Sequence, residues 1–373
     1  MILTIVVFVV MLSVLVLIHE LGHYLVARKF GIKVEEFGFG FPPRVWGKKI
    51  GETLYSINLL PIGGFVKLYG EDEAGAGKIS KGKKVTKDLD RAFFAKPIYQ
   101  RVLVIIAGVT MNFILAVAIV TYLFTTDGIP TPGTTVTLTE ISKGSPAETA
   151  GLKKGDVIQK IGSTEIKDTQ TLVAEARKNL GEELSITVTR SVSSGQERET
   201  KVIKVTPRKE FPEGEGPMGI AISQSVDIRK YPFPQSLIEG TKQATKDSWQ
   251  VVIGFKMVVT EIITRFTVPQ GVAGPIGMAQ LTGEFVKVGP AAVLALVYTL
   301  SLSLAVLNVL PIPALDGGRL LFILIEAVTR KKVNAKFEAY AHLVGLVLLL
   351  SFLALVSYKD IIRIIAGQSI LPQ

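Results

Sequence analysis

Within the run LVLIHELGHYLV (15–26), His19, Glu20 and His23 are the side chains that could bind and use a metal ion. On a helix, His19 and His23 stand four apart and project from one face, so both imidazoles can grip a single ion. Glu20 is offset around the helix, where a carboxylate can take a proton from a water that zinc has acidified. The flanks are apolar, and no Lys or Arg stands inside the run to pair with these groups. Ionisable residues in such surroundings are costly and point to function.

Catalytic zinc takes three protein ligands and keeps one position open. The extended motif H-E-x-x-H-x-x-G-x-x-H is absent, since Arg28 and Lys29 occupy the place of its third His. Two residues elsewhere are candidates. Asp316 lies in NVLPIPALDGGRL (308–320), where Pro311 and Pro313 break a helix and Gly317-Gly318 permit a close approach. A carboxylate on that irregular stretch is what a ligand site needs; its plainer reading is the cap of a helix over LLFILIEAV. His342, alone in an apolar run, reads as a hydrogen-bond partner of a neighbouring helix rather than a ligand.

The elements that must carry these residues are visible as hydropathy. The chain has 373 residues, 48% of them hydrophobic, and a mean hydropathy of +0.41. Residues 2–18, 102–124, 291–310 and 339–357 are long apolar runs, each near the ~20 residues a helix needs to cross a bilayer. This predicts a polytopic α-helical membrane protein with four transmembrane helices. A cleaved signal peptide is a poor reading of the first run, because the first basic residue is Arg28 and no small-residue cleavage site follows.

The net charge of +10 is placed like that of a membrane protein, not of a nucleic-acid binder. Arg28, Lys29 and Lys33 follow the first span; Lys78, Lys81, Lys83, Lys84, Lys87, Arg91, Lys96 and Arg101 precede the second; Arg330, Lys331, Lys332 and Lys336 separate the third from the fourth. By the positive-inside rule, residues 28–101 and 330–337 are cytoplasmic, and the N-terminus and residues 125–288 lie outside. There is no cysteine, hence no disulfide framework.

Between the spans, residues 34–70 read as short strands such as Thr53–Leu59 and Phe65–Tyr69, and residues 71–88 as a polar loop. GSPAETAGLKKGDVIQKIG (144–162), followed by the alternating runs Leu184–Arg190 and Thr200–Val205 around the turn-like SVSSGQ, resembles a PDZ domain over 126–208. PDZ domains bind extended peptides by strand addition. Residues 234–265 have helical periodicity and suit either an amphipathic helix on the outer leaflet or an exposed linker helix.

Taken together, the motifs resemble the site-2 proteases, more narrowly the bacterial regulator-of-sigma-E protease type with a single PDZ domain. HELGH, Leu315-Asp316-Gly317, Asn308-x-x-Pro311, Ala107-Gly108 with Asn112, and Gly38-Phe39-Gly40 all carry the likeness, across nearly the whole chain. It implies a zinc (Zn2+) metalloendopeptidase with His19, His23 and Asp316 as ligands and Glu20 as general base. Asn308 would hold substrate or stabilise an oxyanion, although it could equally brace the helix break; Asn112 would contact substrate or make an interhelical hydrogen bond. Gly38, Phe39 and Gly40 would belong to a loop that offers substrate a strand edge from the cytoplasmic side.

The implied organisation is a first transmembrane helix with HExxH (1–30), a cytoplasmic β-rich loop and basic linker (31–101), a second span (102–125) and the PDZ domain (126–208). An extracytoplasmic amphipathic or linker region (209–288), a third span with the LDG motif (289–330), and a fourth span with its tail (331–373) complete it. The implied location is a bacterial plasma membrane, with the active site toward the cytoplasm. Implied partners are membrane-anchored anti-sigma factors, remnant signal peptides and peptide segments at the PDZ domain, with no nucleic acid. A catalytically silent PDZ-bearing scaffold or chaperone is the alternative, and the intact Glu20 argues against it. A transporter is disfavoured because the broken-helix motif is not repeated in two halves.

Overall fold

In a computed structural model, the chain is described except for Met1 and residues 72–87, 192–197, 213–214, 266, 268, 270–271 and 367–373. Most of the loop expected at 71–88, with its five lysines, and all of the SVSSGQ turn but Ser191 therefore lie outside the described residues. The elements begin with helix α1 (Ile2–Lys29), strands β1 (Val34–Ile50) and β2 (Thr53–Leu68), and helix α2 (Ile98–Thr126). Next come β3 (Ile129–Ile141), the single turn α3 (Pro146–Thr149), β4 (Val157–Ile161), β5 (Thr164–Glu165) and α4 (Thr169–Lys178). Strands β6 (Leu184–Ser191), β7 (Arg198–Val205) and β8 (Ile220–Arg229) follow, then α5 (Gln235–Arg265), α6 (Pro275–Val288), α7 (Pro290–Val309), α8 (Asp316–Thr329) and α9 (Ala335–Ile365). The chain divides into two units, Asp127–Tyr231 and the remainder.

In the larger unit, four helices are long and apolar enough to cross a membrane: Ile2–Lys29, Ile98–Thr126, Pro290–Val309 and Lys336–Ile365. The region 289–330 holds two helices, separated at the break expected from Pro311 and Pro313. Pro311 forces Leu310 into an extended conformation (φ −65°, ψ 145°), which ends α7, and α8 starts only at Asp316. At 14 residues, α8 is about 21 Å long, too short to span a bilayer alone.

Within 209–288, the helix expected over 234–265 is α5, and it packs against other helices of the larger unit. Small residues Ser236, Gly240 and Ala244, spaced by one turn, are buried where α5 packs on α2. A Cβ at Gly240 would lie 3.0 Å from Thr121 Oγ1 and 3.1 Å from Val120 Cγ1, so the small stripe is what lets the helices approach. The Tyr298 hydroxyl of α7 donates to Asp247 on α5 at 2.6 Å. Helix α6 is tied to α9 by the Asp360 carboxylate, which accepts from the backbone N–H groups of Gly274 and Gly277 (2.9 and 2.8 Å). Those two donors have no partner within a helix, so a buried carboxylate supplies one.

Residues 34–68 form two long strands instead of several short ones. Each strand bends, so Phe37 pairs with both Tyr55 and Val66, while Trp46 pairs with Ile57. The expected segments 53–59 and 65–69 are thus two arms of one bent β2, with Gly63 (φ +85°) within the bend. The second arm, 64–68, is paired on one side only and is an edge.

The smaller unit is one antiparallel sheet in the order β7-β6-β4-β3-β8, with β5 beside β4. Its core is built from alternating residues of the strands, Val136 and Leu138, Ile186 and Val188, from Ile158 and Ile161 on either side of an irregularity in β4, and from Leu172 of α4. Ser145 caps α3 by accepting from Glu148 N at 3.2 Å, with Pro146 in the first turn. Asp168 caps α4 by accepting from Thr171 N at 2.6 Å. The unit runs past the expected end at 208, because β8 pairs along the length of β3, from Ile129↔Arg229 to Ile141↔Ile220.

Asp156, fully buried, receives both Nε and Nη2 of Arg190 at 2.7 Å. These bonds hold the Arg190 guanidinium above its usual pKa. Arg190→Ala would strand a buried carboxylate, and we expect it to lower the stability of this unit by about 3–5 kcal/mol. Denaturant unfolding followed in the 127–231 segment checks this; a change within about 0.5 kcal/mol, typical of neutral surface sites, would contradict it.

Candidate metal centre

His19 and His23 lie one turn apart on α1, each only 7% exposed. They are buried because α1 and α2 cross at glycines. A Cβ on Gly22 would collide with the Ala107 carbonyl oxygen, and one on Gly108 with His23 Nε2 and, at 2.8 Å, His19 Cε1. Ala107-Gly108 therefore makes the hollow in which the two rings sit.

Asp316 is brought to the same hollow from 297 residues away. Gly317 and Gly318 fold the first turn of α8 tightly onto the preceding segment. A Cβ at Gly317 would collide with the Leu310 carbonyl oxygen, and one at Gly318 would lie 2.6 Å from that of Ile312. Farther along α8, the Glu326 carboxylate takes two hydrogen bonds from the buried Arg101 guanidinium of α2 (2.9 and 2.8 Å). The N-cap position of α8 is Leu315, which makes no side-chain cap, so the Asp316 carboxylate is not spent on capping. His19 Nε2 lies 2.9 Å and His23 Nε2 3.2 Å from Asp316 Oδ2, and the two Nε2 atoms are 3.1 Å apart.

The chemistry of this trio fits a cation. His23 Nδ1 donates to the Val104 carbonyl at 2.8 Å, which leaves Nε2 of a neutral ring as a bare lone pair. His19 has Asn112 beside its Nδ1 at 3.3 Å, and Asn112 is fully buried with Oδ1 unpartnered. Turning that amide over lets Oδ1 accept the His19 Nδ1–H and aims the second Nε2 lone pair inward. Two lone pairs and a carboxylate oxygen then face one another with no proton between them. Ligands about 2.0–2.1 Å from a tetrahedral zinc stand about 3.3 Å apart, close to the spacing here.

Glu20 is held apart from the trio. Its Oε2 accepts the backbone N–H of Val66 at 3.0 Å, so the outer edge of the 64–68 arm lies against the carboxylate. Together with His23, Val66, Asp316 and Arg319, it lines a cavity of about 310 Å³. Arg319, one turn beyond Asp316, is ion-paired with Glu71 just after β2. A Cβ at Gly64 would lie 3.4 Å from Leu17 and 3.9 Å from Glu20 Cγ.

The other expected site residues are placed differently. Gly38, Phe39 and Gly40 lie on β1, one strand behind the 64–66 arm: Gly38 pairs with Phe65, Phe39 with Gly64. They back the edge and do not touch the trio. Asn308 lies in the last turn of α7, partly exposed, and its amide makes no side-chain hydrogen bond among the described residues. His342 Nδ1 accepts the Ala314 N–H at 2.9 Å and is no part of the trio. Sequence reasoning missed Val66, Val104 and Gly64. The first two act through backbone groups, which no side-chain motif reports, and only Gly63-Gly64 left a signal.

The sequence profile of peptidase family M50 matches residues 7–352. The chain belongs to this family. It is 33% identical to a provisionally named zinc metalloprotease of Clostridium perfringens, over 94% of this chain and 96% of that one. It is 30% identical to the zinc metalloprotease RasP of Bacillus licheniformis and 29% identical to the regulator of sigma-W protease RasP of Bacillus subtilis, each over 97% of this chain and 99% of the relative. The chain is thus a membrane-integral, site-2-type zinc metalloprotease, with Zn2+ as its cofactor.

Proposed function

We propose that this M50 protease cuts single-span membrane proteins within or beside their transmembrane helices. The observation that carries the reading is the meeting of His19 Nε2, His23 Nε2 and Asp316 Oδ2 among helices of membrane-spanning length. These three atoms would hold the zinc, and Glu20 would act as general base. When bound there, zinc supplies the Lewis acidity that polarises a carbonyl and acidifies a water. Glu20 then needs only to accept and return a proton from its place beside the cavity. Asn112 and the Val104 carbonyl keep the rings turned inward. Asn308 is assigned to holding the substrate chain near the helix break.

A substrate helix keeps its peptide carbonyls engaged and must be unwound before it can be cut. The outer edge of the 64–68 arm, whose Val66 N–H rests on Glu20, would take the unwound segment as an added strand and lay it beside that carboxylate. Gly38-Phe39-Gly40 would brace that edge from behind. The same β-layer exposes Phe41, Val45, Trp46, Leu59 and Leu60, in keeping with a segment dipping into lipid.

The unit 127–231 is read as a PDZ domain on the outer side of a bacterial plasma membrane, with the metal centre nearer the cytoplasm. Its strand β8 is the sheet edge next to α4 and would take peptide segments. It would admit substrates already trimmed of a bulky outer domain, such as membrane-anchored anti-sigma factors and remnant signal peptides.

Proteoliposomes containing the protease and a single-span test protein with a short outer stub would test this, with fragments identified by mass spectrometry. Cleavage is expected inside or next to the apolar span, and to slow when a folded domain replaces the stub. Cuts confined to soluble segments would overturn the proposal.

A further inference from the structure

Asp316 reaches the histidines only because the segment 310–315 leaves α7 and turns back into α8 in one conformation. Two features make that conformation demanding. Ala314 has φ 77°, in the left-handed region that a residue with a Cβ enters at a cost. Pro313 lies so close to α9 that a Cβ at Gly345 would be 2.5 Å from its Cβ and 2.6 Å from its carbonyl oxygen. Helix α9 meets this segment with a polar contact as well. The Ala314 N–H donates to His342 Nδ1 at 2.9 Å, while the His342 ring leans on Phe322 of α8 (centroids 5.7 Å apart). An accepting Nδ1 means a neutral ring with its proton on Nε2, and that buried atom has no partner among the described residues. An apolar residue would suit these lipid-side surroundings better, so the one retained bond, to Ala314, accounts for the imidazole.

We infer that His342 is a positioning residue for the metal centre: by accepting the Ala314 N–H it holds Ala314 left-handed and so sets Asp316 within reach of His19 and His23. This rests on the reading of Asp316 as a zinc ligand. The role belongs to one atom, which makes it separable from bulk. Asn places its Oδ1 where Nδ1 stands, Gln places its oxygen at the Nε2 position, and Leu has no acceptor.

Zinc affinity of the purified full chain in detergent, measured by chelator competition, reads the effect without reference to activity. His342→Leu is expected to weaken zinc about 10-fold or more, the scale of lost outer-shell partners. His342→Gln should be equally weak and His342→Asn near the parent. Ala314→Gly combined with His342→Leu should recover part of the loss, because glycine adopts positive φ without the Cβ penalty. Parent-like affinity in His342→Leu, or equal loss in the Asn and Gln variants, would overturn the inference. If His342→Leu does not fold, the Asn and Gln pair decides alone. Asp316→Ala run alongside separates the two claims: zinc retained there refutes the ligand reading itself, whereas zinc lost there but kept in His342→Leu refutes only the role of His342.

Discussion

Glu20→Gln is expected to lower turnover by about 10²–10⁴-fold, the range for removing a positioned general base, while zinc content stays at the parent level. The substitution is close to isosteric. The side-chain oxygen of Gln can still accept the Val66 N–H, so the 64–68 arm keeps its place against α1. The two imidazoles and Asp316 are untouched, since Glu20 contributes no atom to the group they form. What disappears is the capacity to take a proton. Turnover of a reconstituted single-span substrate, with zinc measured in the same preparation, checks both halves. Unchanged turnover with zinc bound would remove Glu20 from the chemistry, and loss of zinc would make it a ligand or a structural support.

Asp316→Ala should act at the other end of the site and abolish activity by emptying it. Two imidazoles on one helical turn remain, but tetrahedral zinc requires a third protein ligand in addition to its open position. The affinity loss should exceed about 100-fold, the upper end of what outer-shell partners alone cost. The fold should be little changed, because α8 stays anchored by the two hydrogen bonds from Arg101 to Glu326 and by the packing of Gly317 and Gly318. Chelator competition with a thermal melt in the same detergent distinguishes a lost ligand from a lost fold. Parent-like zinc affinity would leave the third ligand to be found elsewhere.

The two predictions differ in what each variant retains. Glu20→Gln keeps a loaded, silent site, and Asp316→Ala keeps a folded, empty one. A protein that worked as a scaffold without chemistry would show no difference between them in any cellular readout.

Much of this was legible in the linear sequence because the signals are local. HELGH spans one helical turn, so the shared face of His19 and His23 follows from helix geometry alone. The four apolar runs declare themselves by length, and Pro311 and Pro313 announce the break after α7 by chemistry that does not depend on neighbours. What remained hidden depended on pairing between remote segments. The expected domain end at 208 failed because β8 is claimed by β3, some 80 to 100 residues earlier, and its own alternation is weak. The helix over 234–265 was legible, but not its docking on α2, because the stripe that docks it is made of Ser236, Gly240 and Ala244, residues with no hydrophobic signature. Val66 and Val104 serve the site through an N–H and a carbonyl that every residue possesses, so only their placement distinguishes them. The sequence by itself determined which groups could bind a metal and that they would sit on or next to helices long and apolar enough to cross a membrane. The tertiary structure alone decided how Asp316, already preferred to His342 in the sequence, reaches the two imidazoles, since that depends on glycine-to-backbone contacts that hold α8 against its own preceding turn.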